Sequence, residues 1–275
     1  MPKINYRLIV SDFDGTLVQA DGNVSEENKR AITRYVQNGG NFAISTGRLH
    51  YGILNRAREL GLTGLVSCCQ GAIIMDIQSG KTVIDNRLSH ETTLAACQKL
   101  ERLGLHYHVY DFENYYCNKD DEALVWYESA VGKRAVRITD TPLSEYVREK
   151  RICSYKILAM VKPEDNAKTL AALQNEKFEG CLLTKSADVL VEIVNANYSK
   201  GTAVAFLADY YGIPLEKTIG VGDQWNDLPM IETAGLGIAV QNADEKLKAK
   251  ALTVAYTNEQ SAIAKIIEKY GYTEA

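Results

Sequence analysis

The sequence predicts an α/β protein, with a Rossmann-like core built on a parallel sheet and an inserted α+β domain. Apolar strand-like runs alternate with amphipathic helical runs near both ends of the chain, whereas strand-like runs follow one another in pairs between residues 86 and 195. Alternation predicts right-handed crossovers and a parallel sheet, and paired runs predict a mostly antiparallel sheet. We therefore predict a core of residues 1–85 and 196–275 around an inserted domain of residues 86–195.

The first 85 residues contain three predicted strands, and each ends before a polar loop. Residues 7–12 form the first strand, and Ser25 begins the next helix as an N-cap, since its hydroxyl accepts a hydrogen bond from a free amide. Residues 41–45 form the second strand and lead into a Thr-Gly-Arg turn at residues 46–48. Residues 65–69 form the third strand. We expect all three to be parallel neighbours in one sheet.

The rest of the chain divides into the inserted segment and a return to the α/β rhythm. Strands of the inserted segment are predicted at residues 105–112, 115–118, 155–161, 181–185 and 189–194. Lys200 then lies in the first turn of a helix, which Ser199 caps. Residues 218–222 form a buried strand that ends at Asp223. After residue 195 the chain therefore returns to the α/β alternation of its first 85 residues.

Composition excludes several classes of function. A formal net charge of −4 gives no basic surplus for nucleic acid. No apolar run reaches the roughly 18–20 residues that a membrane span requires. The six cysteines include no C-x-x-C pair, and residues 1–5 lead into a strand without the apolar core of a signal peptide. We expect a cytoplasmic protein that binds neither nucleic acid nor membrane, and the sequence gives no oligomeric state.

Polar residues follow several predicted strands or begin a helix. Asp12 and Asp14 follow the first strand, Lys200 begins a helix, and a Gly-Asp-Gln-Trp-Asn-Asp run follows the strand at residues 218–222. Thr46 belongs to this set because it follows the second strand. Ligands of open α/β sheets bind at the carboxyl ends of the strands. If the strands are parallel neighbours, these residues meet at one edge of the sheet.

Two aspartates one residue apart at such an edge fit phosphoryl transfer. Asp12, ionised at pH 7 if its pKa stays near the ordinary value of about 3.9, would attack phosphorus and form an acyl-phosphate. Mg²⁺ would offset the repulsion between the two anions, with oxygen ligands from Asp12, Asp223 and the backbone carbonyl of Asp14. The side chain of Asp14 is then free to protonate the leaving oxygen and later to deprotonate water.

Other polar groups of this set would hold the phosphate. The Thr46 hydroxyl, the Gly47 amide and the Lys200 ammonium would bind phosphate oxygens and balance developing negative charge. Asn226 would hydrogen-bond the phosphate or orient its loop. Each short motif is weak by itself, and the prediction rests on their occurrence together and in this order.

This set of motifs resembles the four motifs of the haloacid dehalogenase superfamily, and more narrowly its Cof-type phosphatases. The matching residues are Asp12-Phe13-Asp14-Gly15-Thr16, Thr46-Gly47-Arg48, Ser199-Lys200-Gly201 and Gly222-Asp223-Gln224-Trp225-Asn226-Asp227. The resemblance implies a catalytic core with an inserted α+β cap that closes over the site and sets specificity. It also implies Asp12 as nucleophile, Asp14 as general acid/base, and Mg²⁺ on Asp12, Asp14 and Asp223. Phosphate contacts are implied for Thr46, Gly47, Lys200 and Asn226.

Several residues lie outside the pattern of that family or have two open roles. Gln70 stands where the family often has asparagine, which leaves any substrate contact of that position open. Trp225 either shapes the mouth of the site or packs against a neighbouring helix. Lys185, at a predicted turn, either reaches a substrate or is solvated. The aromatic residues between 107 and 116 line a pocket or, as we favour, pack within the sheet.

The predicted function is a Mg²⁺-dependent phosphatase of small phosphorylated metabolites, such as sugar phosphates or phosphorylated cofactors. The alternative is a sugar phosphomutase on the same capped scaffold. A phosphatase transfers the phosphoryl group of the acyl-phosphate to water, whereas a mutase transfers it to a sugar hydroxyl. A non-enzymatic binding protein is a third possibility, disfavoured because every charged position that the chemistry requires is filled.

Overall fold

The computed structural model describes residues 3–161, 166–187, 189–254 and 256–273. Two compact units divide the chain. Unit 1 comprises Met1–Asp85 and Tyr198–Ala275, and unit 2 comprises Asn86–Asn197. None of the described helices is both long enough and apolar enough to cross a membrane.

The helices and strands of the described residues have the following bounds. The strands are β1 (Leu8–Ser11), β2 (Asn41–Ile44), β3 (Leu65–Cys68), β4 (Ile73–Asp76), β5 (Thr82–Asp85), β6 (His106–Tyr110), β7 (Tyr115–Cys117), β8 (Val136–Arg137), β9 (Lys156–Met160), β10 (Cys181–Ala187), β11 (Leu190–Asn195), β12 (Thr218–Gly222), β13 (Leu236–Ala239) and β14 (Thr253–Val254). The α-helices are α1 (Glu26–Gln37), α2 (Leu54–Glu59), α3 (His90–Arg102), α4 (Glu122–Val131), α5 (Leu143–Lys150), α6 (Asn166–Asn175), α7 (Lys200–Tyr210), α8 (Leu228–Thr233), α9 (Glu245–Lys248) and α10 (Ala262–Ile266).

Unit 1 is built on a five-stranded parallel sheet with the order β14-β13-β12-β1-β2. The central strands are buried because apolar side chains such as Leu8 and Val10 pack against α7 and α8 residues such as Leu207 and Met230. The predicted parallel core is confirmed. Since β1, β2 and β12 run in the same direction, their carboxyl ends lie along one edge of the sheet.

The third predicted strand does not extend this sheet as expected. β3 pairs antiparallel with β4, which pairs antiparallel with β5, and its link to β2 is a single parallel bridge between Ser45 and Ser67. Parallel strands need a crossover of about a dozen residues or more, but only residues 69–72 separate β3 from β4. The chain reverses there through Cys69, Gln70 and Gly71, all with positive φ.

Gly71 is the one position of this turn where a side chain has no room. Its φ is +96°, and an added Cβ would lie 2.3 Å from the Ser199 carbonyl oxygen. We expect Gly71→Ala to lower the free energy of unfolding by about 2–4 kcal/mol, because backbone strain and a backbone clash add. Gly61→Ala is the matched control, since Gly61 has φ +72° and open space around it. Equal losses in urea unfolding would contradict the close approach at Ser199.

Unit 2 contains a six-stranded sheet with the order β10-β11-β9-β6-β7-β8. Every pair is antiparallel except β7 with β8, so the predicted α+β insertion with a mostly antiparallel sheet is confirmed. Residues of α3 and α5, including Leu100 and Val147, pack against strand residues such as Tyr107 and Ile157. Tyr110 and Tyr115 stack inside unit 2 with their ring centroids 5.3 Å apart. These tyrosines contribute to packing.

Candidate active site

A buried lysine joins two aspartates at the carboxyl edge of the parallel sheet. Asp12 follows β1, where its amide donates to the Val221 carbonyl of β12 at 2.8 Å. Lys200 Nζ lies 2.5 Å from Asp12 Oδ1 and 2.5 Å from Asp227 Oδ1. The side chain of Lys200 is 1% exposed. Ser199 positions this lysine because its hydroxyl caps α7 and accepts from the Thr202 amide.

The loop after β12 supplies a further buried carboxylate. Asp223 Oδ1 accepts a hydrogen bond from the Thr16 hydroxyl at 2.9 Å. Asp227 Oδ2 accepts from the backbone amides of Asp223 and Gln224, both at 2.9 Å, which fixes the loop. Carboxylate oxygens of Asp12, Asp223 and Asp227 all lie within 4.8 Å of one another. The arrangement is therefore a compact, oxygen-only donor set.

Charge in this cluster is unbalanced. Burial raises the pKa of Asp12 well above its ordinary value, and the nearby carboxylates of Asp227 and Asp223 raise it further against the effect of Lys200. Burial and Asp227 raise the pKa of Asp223 to about 7. Burial lowers the pKa of Lys200, but the two aspartates that it contacts more than offset this, so its pKa is raised. The pKa of Asp12 is therefore shifted upward from the ordinary value that the sequence analysis assumed.

The donor set fits a divalent cation. When ionised, three carboxylates and one ammonium carry a net charge of −2, and all three carboxylates are buried. Hard cations such as Mg²⁺ prefer carboxylate and carbonyl oxygens. Asp12 and Asp223 belong to the predicted ligand set, whereas Asp227 was missed as a contributor to the cluster. Its signal in the sequence was its place four residues after Asp223, which a single turn of helix brings back toward the same side.

Asp14 lies apart from the buried carboxylates. Its side chain is 51% exposed, and Arg48 Nε and Nη2 each approach one of its oxygens at 2.7 Å. The predicted roles of Asp14, as acid/base through its carboxylate and as metal ligand through its backbone carbonyl, stay predictions. Arg48 was part of the Thr-Gly-Arg turn but had no predicted role, and its fork-shaped contact orients the Asp14 carboxylate.

The turn after β2 lies beside the reversing turn after β3. The Thr46 amide donates to the Ser67 carbonyl at 3.0 Å, and the Gln70 amide donates to the Thr46 carbonyl at 3.1 Å. The Thr46 side chain is buried and accepts from the Arg48 amide at 3.2 Å, whereas Gly47 is partly exposed. The predicted phosphate contacts of Thr46 and Gly47 stay predictions.

Gln70 links the reversing turn to the loop after β12. Asn226 Nδ2 donates to Gln70 Oε1 at 3.2 Å, and Asn226 Oδ1 is buried without a partner among the described residues. Sequence patterns could not assign this role to Gln70, because its φ of +61° is rarely adopted by residues other than glycine. Trp225 is 39% exposed, so both of its roles stay open. Lys185 lies opposite Val191 within β10, which continues two residues beyond the predicted strand of residues 181–185, so Lys185 precedes the turn.

A parallel α/β core with a buried aspartate–lysine cluster at its carboxyl edge defines the general class of an α/β enzyme. The model of the haloacid dehalogenase-like hydrolase family matches residues 9–267. Phosphatase YwpJ of Bacillus subtilis is 28% identical over 283 residues, covering 95% of this chain and 99% of the relative. The 5-amino-6-(5-phospho-D-ribitylamino)uracil phosphatase YitU of the same organism is 27% identical, with coverages of 96% and 97%.

A solved structure of the same family has the same fold as this chain. A haloacid dehalogenase-like hydrolase from B. subtilis superimposes with a TM-score of 0.84 at 27% identity, covering 95% of this chain and 99% of that structure. The chain belongs to the haloacid dehalogenase-like hydrolase family. The family and the enzyme class predicted from the sequence, a phosphatase among the hydrolases, are thereby confirmed.

Proposed function

We propose that this phosphatase is Mg²⁺-dependent and hydrolyses small phosphorylated metabolites through an aspartyl-phosphate on Asp12. The observation that carries the proposal is the buried cluster of Asp12, Asp223 and Asp227 with Lys200 as its paired cation. A carboxylate nucleophile needs a neighbouring cation to approach a phosphate dianion. Bound Mg²⁺ would supply that charge and polarise a phosphate oxygen.

The reaction balances with two carboxylates in separate roles. An Asp12 oxygen forms a bond to phosphorus while the ester bond to the leaving oxygen breaks, and the Asp14 carboxyl group gives that oxygen its proton. Water then attacks phosphorus, Asp14 takes the proton of the water, and inorganic phosphate leaves with Asp12 restored. The exposure of Asp14 supports this division, because a group that exchanges protons with substrate and water needs access to both.

Lys200 suits the role of a phosphate ligand as well as that of a partner for Asp12. An ammonium has three donors, and two of them point to Asp12 and Asp227. The third would donate to a phosphate oxygen, together with the Thr46 hydroxyl and the Gly47 amide. Asn226 would orient its loop through Gln70 or donate to phosphate after its amide turns over.

The proposed substrate class is supported by the chemistry of the site and by the name of one relative. The family resemblance implies that the inserted domain sets specificity. YitU is named for 5-amino-6-(5-phospho-D-ribitylamino)uracil, a polyol phosphate joined to a heterocycle. We infer that the substrate is a small phosphomonoester of a sugar, a polyol or a cofactor, and this relative's substrate is one candidate.

Phosphate release tests the proposal directly. The purified protein is treated with EDTA, dialysed, and assayed with sugar phosphates, pyridoxal phosphate, flavin mononucleotide and the ribitylamino-uracil phosphate, with and without Mg²⁺. We expect one group of substrates to release phosphate, and Mg²⁺ to raise the rate by at least about 100-fold, since a metal supplies several kcal/mol of charge stabilisation.

Two results would contradict the proposal. Activity that is unchanged by EDTA would exclude the metal dependence. Formation of an isomeric sugar phosphate without inorganic phosphate would favour the phosphomutase instead, because the phosphoryl group would then have gone to a sugar hydroxyl.

A further inference from the structure

Unit 2 contains a cavity of about 660 Å³ whose lining residues all belong to unit 2. This volume lies within the range of roughly 300–1,000 Å³ that small-molecule sites occupy. The cavity lies between the beginning of β6, the end of β9, the first turns of α4 and one face of α6. Nothing in the proposed phosphatase chemistry uses it, since Asp12, Lys200 and Asp223 belong to unit 1.

The walls of this cavity are mostly apolar. Leu103, Leu105, Met160 and Val161 contribute aliphatic surface. Trp126, on α4, also lines the cavity although its side chain is 51% exposed. A half-exposed indole beside an aliphatic surface offers a flat face on which another ring can stack. The cavity therefore suits a planar apolar ring.

Charged groups at the cavity favour an anion. Lys119 and Lys168 line it, and Asp121 is the carboxylate among the lining residues that the structure describes. Both oxygens of Asp121 are engaged, one with His106 Nδ1 at 3.0 Å and the other with the Leu124 amide as the N-cap of α4. These hydrogen bonds hold the Asp121 carboxylate in place without removing its charge. The two ammonium groups outnumber this carboxylate among the described lining residues, so the cavity attracts a negative ligand.

A hydrogen bond holds the Lys119 ammonium at the cavity. Its Nζ donates to the Gly104 carbonyl at 2.7 Å, and Gly104 lines the same cavity. An ammonium has three donors, so this contact fixes the lysine and leaves donors for a ligand. Lys168 is exposed on α6 and approaches from a different element.

We propose that this cavity binds a planar aromatic molecule that carries one anionic group, a carboxylate or a sulfonate. The ring lies against the aliphatic wall and Trp126, and the anionic group contacts Lys119 and Lys168. None of the residues of this site is assigned a part in phosphoryl transfer, so the proposal does not rest on the proposed phosphatase function.

The dye 8-anilinonaphthalene-1-sulfonate is a probe of the proposed chemistry, and Trp126 is a natural reporter. The sequence contains two tryptophans, so Trp225→Phe leaves Trp126 as the single indole of the full chain. We expect saturable binding of one dye molecule per chain, with quenching of Trp126 and energy transfer to the dye. Several equivalent weak sites, or no energy transfer, would overturn the proposal.

Matched lysine variants separate a specific contact from net charge. Lys168→Glu is expected to weaken dye binding by about tenfold or more, the size of one lost charge-assisted contact. Lys150→Glu makes the same charge change at an exposed position of α5 outside the cavity, and its affinity should stay within twofold of the parent. Trp126→Ala should also weaken binding. Equal effects of the two lysine variants would overturn the proposal.

Neutral and charged competitors test the requirement for an anion. Naphthalene-2-carboxylate should displace the dye at a concentration about tenfold lower than naphthalene-2-methanol, which has the same ring without the charge. Asp12→Asn should bind the dye like the parent. Equal competition, or loss of binding in the Asp12→Asn variant, would overturn the assignment, whereas failure of the phosphatase proposal alone would leave dye binding intact.

Discussion

Asp12→Asn should abolish phosphate release while the protein stays folded. An amide cannot form the acyl-phosphate, so we expect kcat to fall by at least about 10⁴-fold, as for other essential nucleophiles. The fold should tolerate the change because asparagine has nearly the same volume and keeps an oxygen for Lys200 Nζ. It also removes one of the crowded carboxylates. The measurement is the rate of phosphate release in Mg²⁺, beside a thermal unfolding curve.

Asp14→Asn is the matched control, because it changes the other carboxylate of the same loop. Asp14 is exposed and paired with Arg48, so its loss should slow proton transfer by about 10²–10⁴-fold and not prevent attack on phosphorus. With p-nitrophenyl phosphate, whose leaving group needs no proton, the acyl-phosphate should form and then accumulate, since water lacks its base.

Trapping the phosphoenzyme that Asp14→Asn forms from a phosphate-labelled substrate shows whether Asp12 is the nucleophile or only a metal ligand. The label should be on Asp12 and should disappear in the double variant with Asp12→Asn. Label on another residue, or substantial Mg²⁺-dependent turnover by Asp12→Asn, would show that the nucleophile is misassigned.

The shared edge of the parallel strands explains how much of the site the sequence could predict. Asp12 and Lys200 are 188 positions apart, yet their side chains meet because a strand end and a helix start lie at the same edge. Asp223 joins them by the same logic after β12. The hydrophobic periodicity of the sequence, together with the position of each polar residue at a strand end or helix start, was sufficient to predict that these residues meet.

Contacts that depend on tertiary packing were beyond the sequence. Cys69 and Gln70 both have positive φ, but neither is a glycine, so the sequence does not indicate a turn at these two positions. Neither the reversal after β3 nor the contact of Gln70 with Asn226 was therefore predictable. The pKa of Asp12 was missed for a related reason. Its desolvation depends on how completely the folded chain excludes water.

Lys200→Met should destabilise the metal-free protein strongly. Lys200 is buried and contacts both Asp12 and Asp227, so methionine would fill most of its volume while leaving those carboxylates without their cation. Removing one partner of a buried ion pair costs about 3–5 kcal/mol. We expect a loss of this size in urea unfolding with EDTA, and a fall in kcat of about 10²–10³-fold from the missing phosphate contact.

Mg²⁺ should restore part of that stability, because a cation that binds only the folded state stabilises it. With Lys200 gone, the net charge of the ionised cluster changes from −2 to −3, so the stabilisation by Mg²⁺ should be larger in Lys200→Met than in the parent.

Lys156→Met is the matched control for Lys200→Met. Lys156 forms a buried ion pair with Glu192 at 2.8 Å in unit 2, and neither residue belongs to the cluster of three aspartates found among the described residues. Its loss should also destabilise the protein, but Mg²⁺ should not reverse that effect. Equal stabilisation of the two variants by Mg²⁺ would contradict a cation site built by Asp12, Asp223 and Asp227. A Lys200→Met protein as stable as the parent in EDTA would contradict the stabilising role of the buried lysine.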